Sequence, residues 1–341
     1  MGRNSHQRSY TKLLTALRTC RDYLMTKPVL TEIQKNSLES FFGNNLKMDE
    51  MMGRYSVMQV GGPADYLTII ENKKELEDSV RFLWEREIPF ILIGGGSNTL
   101  ISDHGIKEVV IINKAKDVKF LENDPESPRL WAESGAGFGK LSRRAATKGW
   151  TGLEWSAGIP GTVGGAVVNN AGAFGSNVAG NLVVAEILHP VGDKIQRSEW
   201  SVDQLAYDYR SSLIKSGKHP AVVLSATFQL EQSTPEKVKE RISSISEKRQ
   251  KSQPQGASLG SMFKNPPGDY AGRLIEEAGL KGTNVGDVEI SRVHGNFFLN
   301  HGDATAADIS SLINKTREIV KEKFGVELEL EIQLIGDWDQ R

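Results

Sequence analysis

The chain has 341 residues, enough for two or three domains rather than one comfortable core. Lysine plus arginine (42) balance aspartate plus glutamate (43) to a net charge of −1, so no global field recruits nucleic acid or anionic lipid. The single cysteine, Cys20, excludes an intramolecular disulfide and a cysteine-based metal cluster.

Residues 1–45 read as a helical extension, because "TKLLTALRTCRDYLM" and "LTEIQKNSLESFF" space their apolar residues helically. A lead-in packed on the body is the plain expectation, with a partner-binding or membrane helix as the alternative. The basic start lacks a following apolar region, and no apolar run approaches the length of a membrane span. A cytoplasmic protein without membrane insertion is expected.

Strands and helices then alternate: "ADYLTIIEN" predicts a strand, "KKELEDSVRFLWERE" a helix, and "PFILIG" and "EVVIIN" two more strands. A polar turn, "ENDPESPR", leads through "LWAESGAG" to a helix, "FGKLSRRAATKG". "VVAEILHP" and "AVVLSATFQL" read as strands with "SVDQLAYDYRSS" between them. The polar residues 232–235 open the helix "PEKVKERISSISEKRQKS", and a domain boundary is expected there, giving 46–231 and 232–341. The helix "TAADISSLINKTREIVKEKFG" and the strand "ELELEIQLIG" close the chain. The pattern is α+β, without the clean βαβ series of a doubly wound sheet.

Two glycine-rich tracts stand out. "IGGGSNTLIS" follows a strand directly; its glycines permit close backbone approach, and Ser97 and Asn98 add short donors. It is neither a G-x-G-x-x-G fingerprint nor a Walker A loop, and a tight turn is its simplest reading. "SAGIPGTVGGAVVNNAGAFG" carries too many glycines for stable helix or strand, yet it is more apolar than a linker. Two such loops suggest a dinucleotide gripped from two sides.

"GGGSNTLISD", "GIPGTVGGAVVNNAGAFG", "YDYRSS", "GSMFKNPPGDYAGRLIEEAGLKG", "VGDVEISRVHGNFFLN" and "ELEIQLIG" together resemble the UDP-N-acetylenolpyruvoylglucosamine reductase family, over residues 53–336. The compact run from "GSMFKNPP" onward looks like its shorter branch, which lacks a tyrosine-bearing loop and a substrate-domain insertion. The resemblance implies an FAD-binding fold of the vanillyl-alcohol-oxidase type in two subdomains, plus a C-terminal α+β substrate domain. It implies FAD and NADPH as cofactors and UDP-N-acetylglucosamine enolpyruvate as the small-molecule substrate, reduced to UDP-N-acetylmuramate for peptidoglycan. It places flavin contacts at Tyr55, Gly94, Gly95, Gly96, Ser97, Asn98 and Leu100. A second set falls at Ser156, Gly158, Ile159, Pro160, Gly161, Val163, Gly164, Gly165, Asn169 and Gly172.

The implied reaction leaves negative charge on the enolpyruvyl carboxylate and needs a proton at C2. The resemblance assigns the cation to Arg210 of "YDYRSS", whose planar fork matches a carboxylate; a surface salt bridge is the alternative. It assigns the proton to Ser261 of "SLGSMFKNP", with Gly260 making room and Lys264 easing proton loss; a turn serine is the alternative. The third residue is Glu331. Strand alternation leaves Glu327, Glu329 and Glu331 equivalent, and only the match to the terminal motif selects it, with Leu330 and Gln333 departing from the family's basic residues. Arg249 and Lys251 could meet the diphosphate, or be a solvated basic helix end. Tyr209, Asn265 and His294 match substrate-contacting positions, although a lone histidine is otherwise usually structural. No metal-ligand spacing occurs, so no catalytic metal is expected.

A flavin-dependent oxidase of the same fold and a non-catalytic FAD-binding module are the competing readings. The first needs a base facing a carbinol; the second would not need Arg210, Ser261 and Glu331 together.

Overall fold

The computed structural model of the chain describes residues 30–122 and 127–338, so the first expected helix and Cys20 lie outside the described residues. The chain divides into two compact units. Among the described residues, one comprises 30–47, Tyr66–Gly94 and Glu108–Ile245; the other comprises Met48–Asp65, Gly95–Lys107 and 246–338.

In the first unit, the near-continuous apolar run "VVIIN" belongs to the strand Ile106–Asn113, which pairs in parallel with Phe90–Ile93 from Phe90↔Val109 to Ile93↔Ile112. Such burial on both faces is what parallel strands require. The helix Lys73–Glu85 starts at Asn72, whose side chain accepts the Glu75 N–H at 2.9 Å, and turns Leu76, Val80 and Leu83 inward. The helix Glu32–Phe42, begun by a Thr31/Gln34 capping box, buries Leu38 and Phe42 in the same apolar cluster.

A five-stranded antiparallel sheet follows, ordered Lys194–Trp200, Leu182–Val191, Val222–Gln229, Arg129–Glu133, Val118–Leu121. Its centre, Val222–Gln229, is buried along nearly its whole length. Phe228 packs there with Leu130, Phe138, Leu141 and Trp155. Lys194–Trp200 has no counterpart among the expected elements: it is a largely polar edge strand, and its one buried residue, Trp200, makes no alternating pattern.

The second glycine tract corrects the expectation that it forms neither helix nor strand. Val163–Asn169 is a helix. Thr162 caps it by accepting the Gly165 N–H, and Val163, Ala166 and Val167 bury one face, so capping and packing outweigh the propensity cost of two glycines, about 1 kcal/mol each.

In the second unit, the core joins Leu259, Met262, Phe263, Leu274, Phe298, Ile309 and Leu312 to Met58, Val60 and Leu100 from far earlier in the chain. The helix Ala306–Phe324 has a Thr305/Asp308 capping box, and both Asp103 carboxylate oxygens accept its first amides, Ala306 and Ala307, at 2.9 Å. The expected terminal strand shrinks to Gln333–Ile335, paired in parallel with Thr99–Ile101. Upstream, Leu328 and Ile332 are buried and Glu327 and Glu329 exposed, but only Leu330 bridges, to Phe263.

The partition differs from the expected break at 231/232 for a physical reason. Val238 and Ile242 of the helix Pro235–Ser252 pack on Ala146 and Ala157 of the first unit, whereas Met58, Val60 and Leu100 complete the core of the second.

Candidate active site

The first unit carries the second glycine tract. Gly158, Pro160 and Gly165 are exposed; Ile159, Gly161, Gly164, Asn169 and Gly172 are half-buried; Ser156 and Val163 are buried. Ser156 donates its hydroxyl to the Leu153 carbonyl at 2.8 Å, and the Gly164 N–H donates to the Ser134 carbonyl at 2.7 Å. The tract is therefore anchored from beneath while its glycine backbone stays open above. Gly94 lies against the Thr162 side chain, where even a methyl group would collide. Asn169 donates through Nδ2 to the Gly165 carbonyl, and its Oδ1 is buried without a partner among the described residues. An orphaned acceptor beside open glycine backbone fits the polar edge of a flavin.

Arg210 is tied to this tract. Its Nη2 donates to the Gly172 carbonyl at 2.9 Å, and its guanidinium lies over the Tyr209 ring, 5.5 Å from the centroid. Its backbone is left-handed, φ 54°, in a turn closed by the Asp208↔Ser211 bridge. A non-glycine residue there costs about 1–2 kcal/mol, and such strain is held only where surrounding bonds impose it. Three do: Asn170 Nδ2 to the Asp208 carbonyl, the Ser212 hydroxyl to the Val168 carbonyl, and Lys215 Nζ to the Arg210 carbonyl. Asn170 and Ser212 play parts the sequence reading missed, since both act only on backbone. Tyr209 itself is exposed. The neighbouring Tyr207 hydroxyl is buried without a partner among the described residues, and burial pushes its pKa up.

The second unit holds Gly95, Ser97 and Asn98 with Tyr55. Of Gly94, Gly95 and Gly96 only Gly96 has a positive φ, 58°; its carbonyl accepts the Val57 N–H at 3.1 Å, and a β-carbon at this position would run into the Tyr55 carbonyl. Gly95 is exposed and Ser97 half-buried. The Tyr55 hydroxyl donates to Glu50 at 3.1 Å. Leu100 is fully buried and serves the core, not an open surface. Asn98 bonds Glu331 through Nδ2 to its carbonyl at 3.2 Å and accepts the Gln333 N–H. A cavity of about 550 Å³ lined by Met51, Arg54, Ser56 and Gln59 adjoins this segment but includes no candidate catalytic side chain.

Ser261 and Glu331 lie on paired segments of this unit. Ser261 bridges Phe297, the Glu331 N–H donates to the Met262 carbonyl at 2.9 Å, and the Lys264 N–H donates to the Glu329 carbonyl at 2.8 Å. Lys264 Nζ pairs with Glu329. That pairing engages the ammonium that was expected to ease proton loss from Ser261. Ser261 and Glu331 are both half-buried, and Gly260, φ 80°, leaves open space beside the serine. Thus the structure brings Ser261, Glu331 and Asn98 together in one unit, and Arg210 with Gly172 in the other.

The remaining candidates separate clearly. Arg249 is half-buried, has no carboxylate partner among the described residues, and burial pulls its guanidinium below the ordinary value. Lys251 is exposed. Asn265 caps a helix: its Oδ1 accepts the Ala271 N–H at 3.1 Å at the start of Ala271–Glu277. His294 Nδ1 accepts the Asn296 N–H at 3.1 Å, so a neutral ring carries its proton on Nε2. Burial, helped by the nearby Lys281 charge, holds its pKa below the ordinary value.

Comparison with known proteins gives the family of the chain. The FAD-binding domain family matches residues 64–193, and the C-terminal domain of UDP-N-acetylenolpyruvoylglucosamine reductase matches residues 252–335. The chain is similar to the UDP-N-acetylenolpyruvoylglucosamine reductase of Chloroflexus aurantiacus, 41% identical over 84% of this chain and 96% of the relative. The chain belongs to the UDP-N-acetylenolpyruvoylglucosamine reductase family. The Rubrobacter xylanophilus member is 42% identical over 85% of this chain and 95% of its own length. The solved Thermus caldophilus reductase matches 85% of this chain and 99% of its own with a TM-score of 0.70 at 34% identity. The protein is accordingly an FAD-containing oxidoreductase acting on a small molecule, with the expected α+β fold of an FAD-binding domain followed by the family's C-terminal domain. Among the described residues no helix is long and apolar enough to cross a membrane, and no group of three acidic, histidine or cysteine side chains could hold a metal.

Proposed function

We propose that this protein reduces UDP-N-acetylglucosamine enolpyruvate to UDP-N-acetylmuramate with NADPH and FAD, a step of peptidoglycan synthesis in the cytoplasm. The observation that carries the reading is 41% identity across 96% of a reductase of that name, in a chain that retains Arg210, Ser261 and Glu331 in the motifs that mark them. In this reading residues 46–231 bind the flavin, and 232–341 contribute to holding the substrate.

When bound, FAD would supply hydride derived from NADPH. The residues' task is to place the enolpyruvyl group and manage its charge and proton. Arg210, held rigid by its strained turn, clamps the carboxylate with two parallel donors; a well-aimed donor of this kind is worth roughly 3–4 kcal/mol. Ser261 gives its proton to C2, and Glu331 orients the carboxylate and the proton relay, each held by backbone pairing rather than by a mobile loop. Arg249 meets the diphosphate, because a half-buried cation without a carboxylate partner is stabilised by a bound anion, whereas exposed Lys251 gains little. Tyr209 lies open toward substrate; Asn265 and His294 support the chain around it.

The test is product identity. The purified protein with NADPH and the enolpyruvyl substrate should yield a product two mass units heavier, with one NADPH oxidised per molecule formed. NADPH oxidation that depends on oxygen and leaves the sugar nucleotide unchanged would refute the reading.

A further inference from the structure

We infer that Asn296 is a positioning residue that fixes Ser261 for proton transfer by standing in for a missing strand neighbour. The inference rests on the proposed role of Ser261. The two residues after the serine, Met262 and Phe263, are fully buried, so their four backbone polar groups must all be paired within the protein. Three of the four go to one residue. The Met262 N–H donates to the Asn296 carbonyl at 2.9 Å, the Phe263 N–H donates to Asn296 Oδ1 at 2.9 Å, and Asn296 Nδ2 donates to the Phe263 carbonyl at 2.8 Å. The fourth, the Met262 carbonyl, takes the Glu331 N–H.

The carboxamide thus supplies the donor–acceptor pair that a neighbouring strand would otherwise present. Asn296 is itself buried and held: its N–H donates to His294 Nδ1, and the turn before it is closed by the Ser291 hydroxyl, which accepts the Val293 and His294 amides. Glutamine would overreach this spacing and alanine would leave Phe263 with two unpaired buried groups. With either change the 261–263 segment relaxes toward another partner and carries the serine with it. A displacement of about 1 Å can cost about 10²-fold in a positioned reaction. Reduction of the flavin by NADPH does not use Ser261 and stays fast. This gives His294 a task without substrate contact, since its neutral ring is the acceptor that orients the Asn296 backbone.

The experiment is an anaerobic stopped-flow comparison of Asn296→Asp and Asn296→Ala, each alone and combined with Ser261→Ala. Asn296→Asp is nearly isosteric and keeps the acceptor for Phe263 N–H while losing the donor to its carbonyl, so it serves if the alanine variant fails to fold. Each holoenzyme is first bleached with NADPH and then mixed with the enolpyruvyl substrate. The expected result is a bleaching rate within about twofold of wild type, with reoxidation slowed about 10- to 100-fold. In the Ser261→Ala background the same substitutions should add almost nothing, because Asn296 acts through the serine. Wild-type reoxidation in Asn296→Asp, or an equal slowing with and without Ser261, overturns the inference while leaving the reductase reading intact. Wild-type reoxidation in Ser261→Ala alone removes the serine's role, and this inference with it.

Discussion

Gly96→Ala separates the one constrained glycine of the 94–96 run from its neighbours. Its φ of 58° costs an L-residue about 1–2 kcal/mol. Its new β-carbon would also lie well inside contact of the Tyr55 carbonyl and 3.0 Å from Ser56 Cα, where unstrained carbons sit about 3.5–4.0 Å apart. Backing away stretches the bond from Val57 N–H to the Gly96 carbonyl, worth about 1 kcal/mol. The total, about 2–4 kcal/mol, converts to roughly 30- to 700-fold weaker FAD binding if the loop holds the flavin in its native shape. Gly95→Ala is the control, being exposed and without a positive φ. FAD titration of the apoprotein by flavin fluorescence, with thermal unfolding of the flavin-free protein alongside, reads both effects. A folded Gly96→Ala protein with wild-type FAD affinity, or equal losses in the two variants, would refute the argument.

Other outcomes follow from the same geometry. Arg210→Lys keeps the charge but loses the fork, so it should slow flavin reoxidation by the enolpyruvyl substrate about 10²-fold and leave bleaching by NADPH unchanged; slowing of both steps alike would contradict its assignment. Arg249→Met should raise KM for the sugar nucleotide at least tenfold with kcat nearly constant, while Lys251→Met changes KM less than about twofold; the reverse order would move the diphosphate to Lys251. His294 should make stability pH-dependent. Because its folded pKa lies below the ordinary 6.5, its contribution is present above that value and lost as pH falls through the folded value. Melting temperatures from about pH 8 to about pH 5 should fall less in His294→Asn than in wild type, and parallel curves would show that the ring does not titrate as described.

The long helices were legible because local chemistry marks them. Asn72 and Thr305 are caps directly before periodic apolar faces, and Gly325 ends the last helix in a left-handed turn. The edge strand Lys194–Trp200 was not legible, since an exposed strand buries too little to leave a period. Nor was the Val163–Asn169 helix, whose glycines argue against it until the burial of Val163, Ala166 and Val167 is known. Ser261 was chosen by resemblance. Nothing local in "SLGSMFKNP" tells that its backbone pairs with residues 296–297 and 329–331, because those partners are distant in sequence. The same holds for Asn296, whose carboxamide has meaning only once the Phe263 backbone is seen facing it. Glu331 was selected over Glu329 only by the match to the terminal motif, since strand alternation leaves the two equivalent; the structure adds that Glu329 pairs with Lys264.

The central claim is that one flavoprotein takes hydride from NADPH and delivers it to an enolpyruvyl sugar nucleotide. Anaerobic stopped-flow absorbance of the bound flavin tests it most directly. NADPH should bleach the yellow protein, and UDP-N-acetylglucosamine enolpyruvate, added without oxygen, should restore the colour at a rate no slower than turnover. A bleached flavin that stays colourless with the enolpyruvyl substrate and recovers only on admitting air would contradict the account.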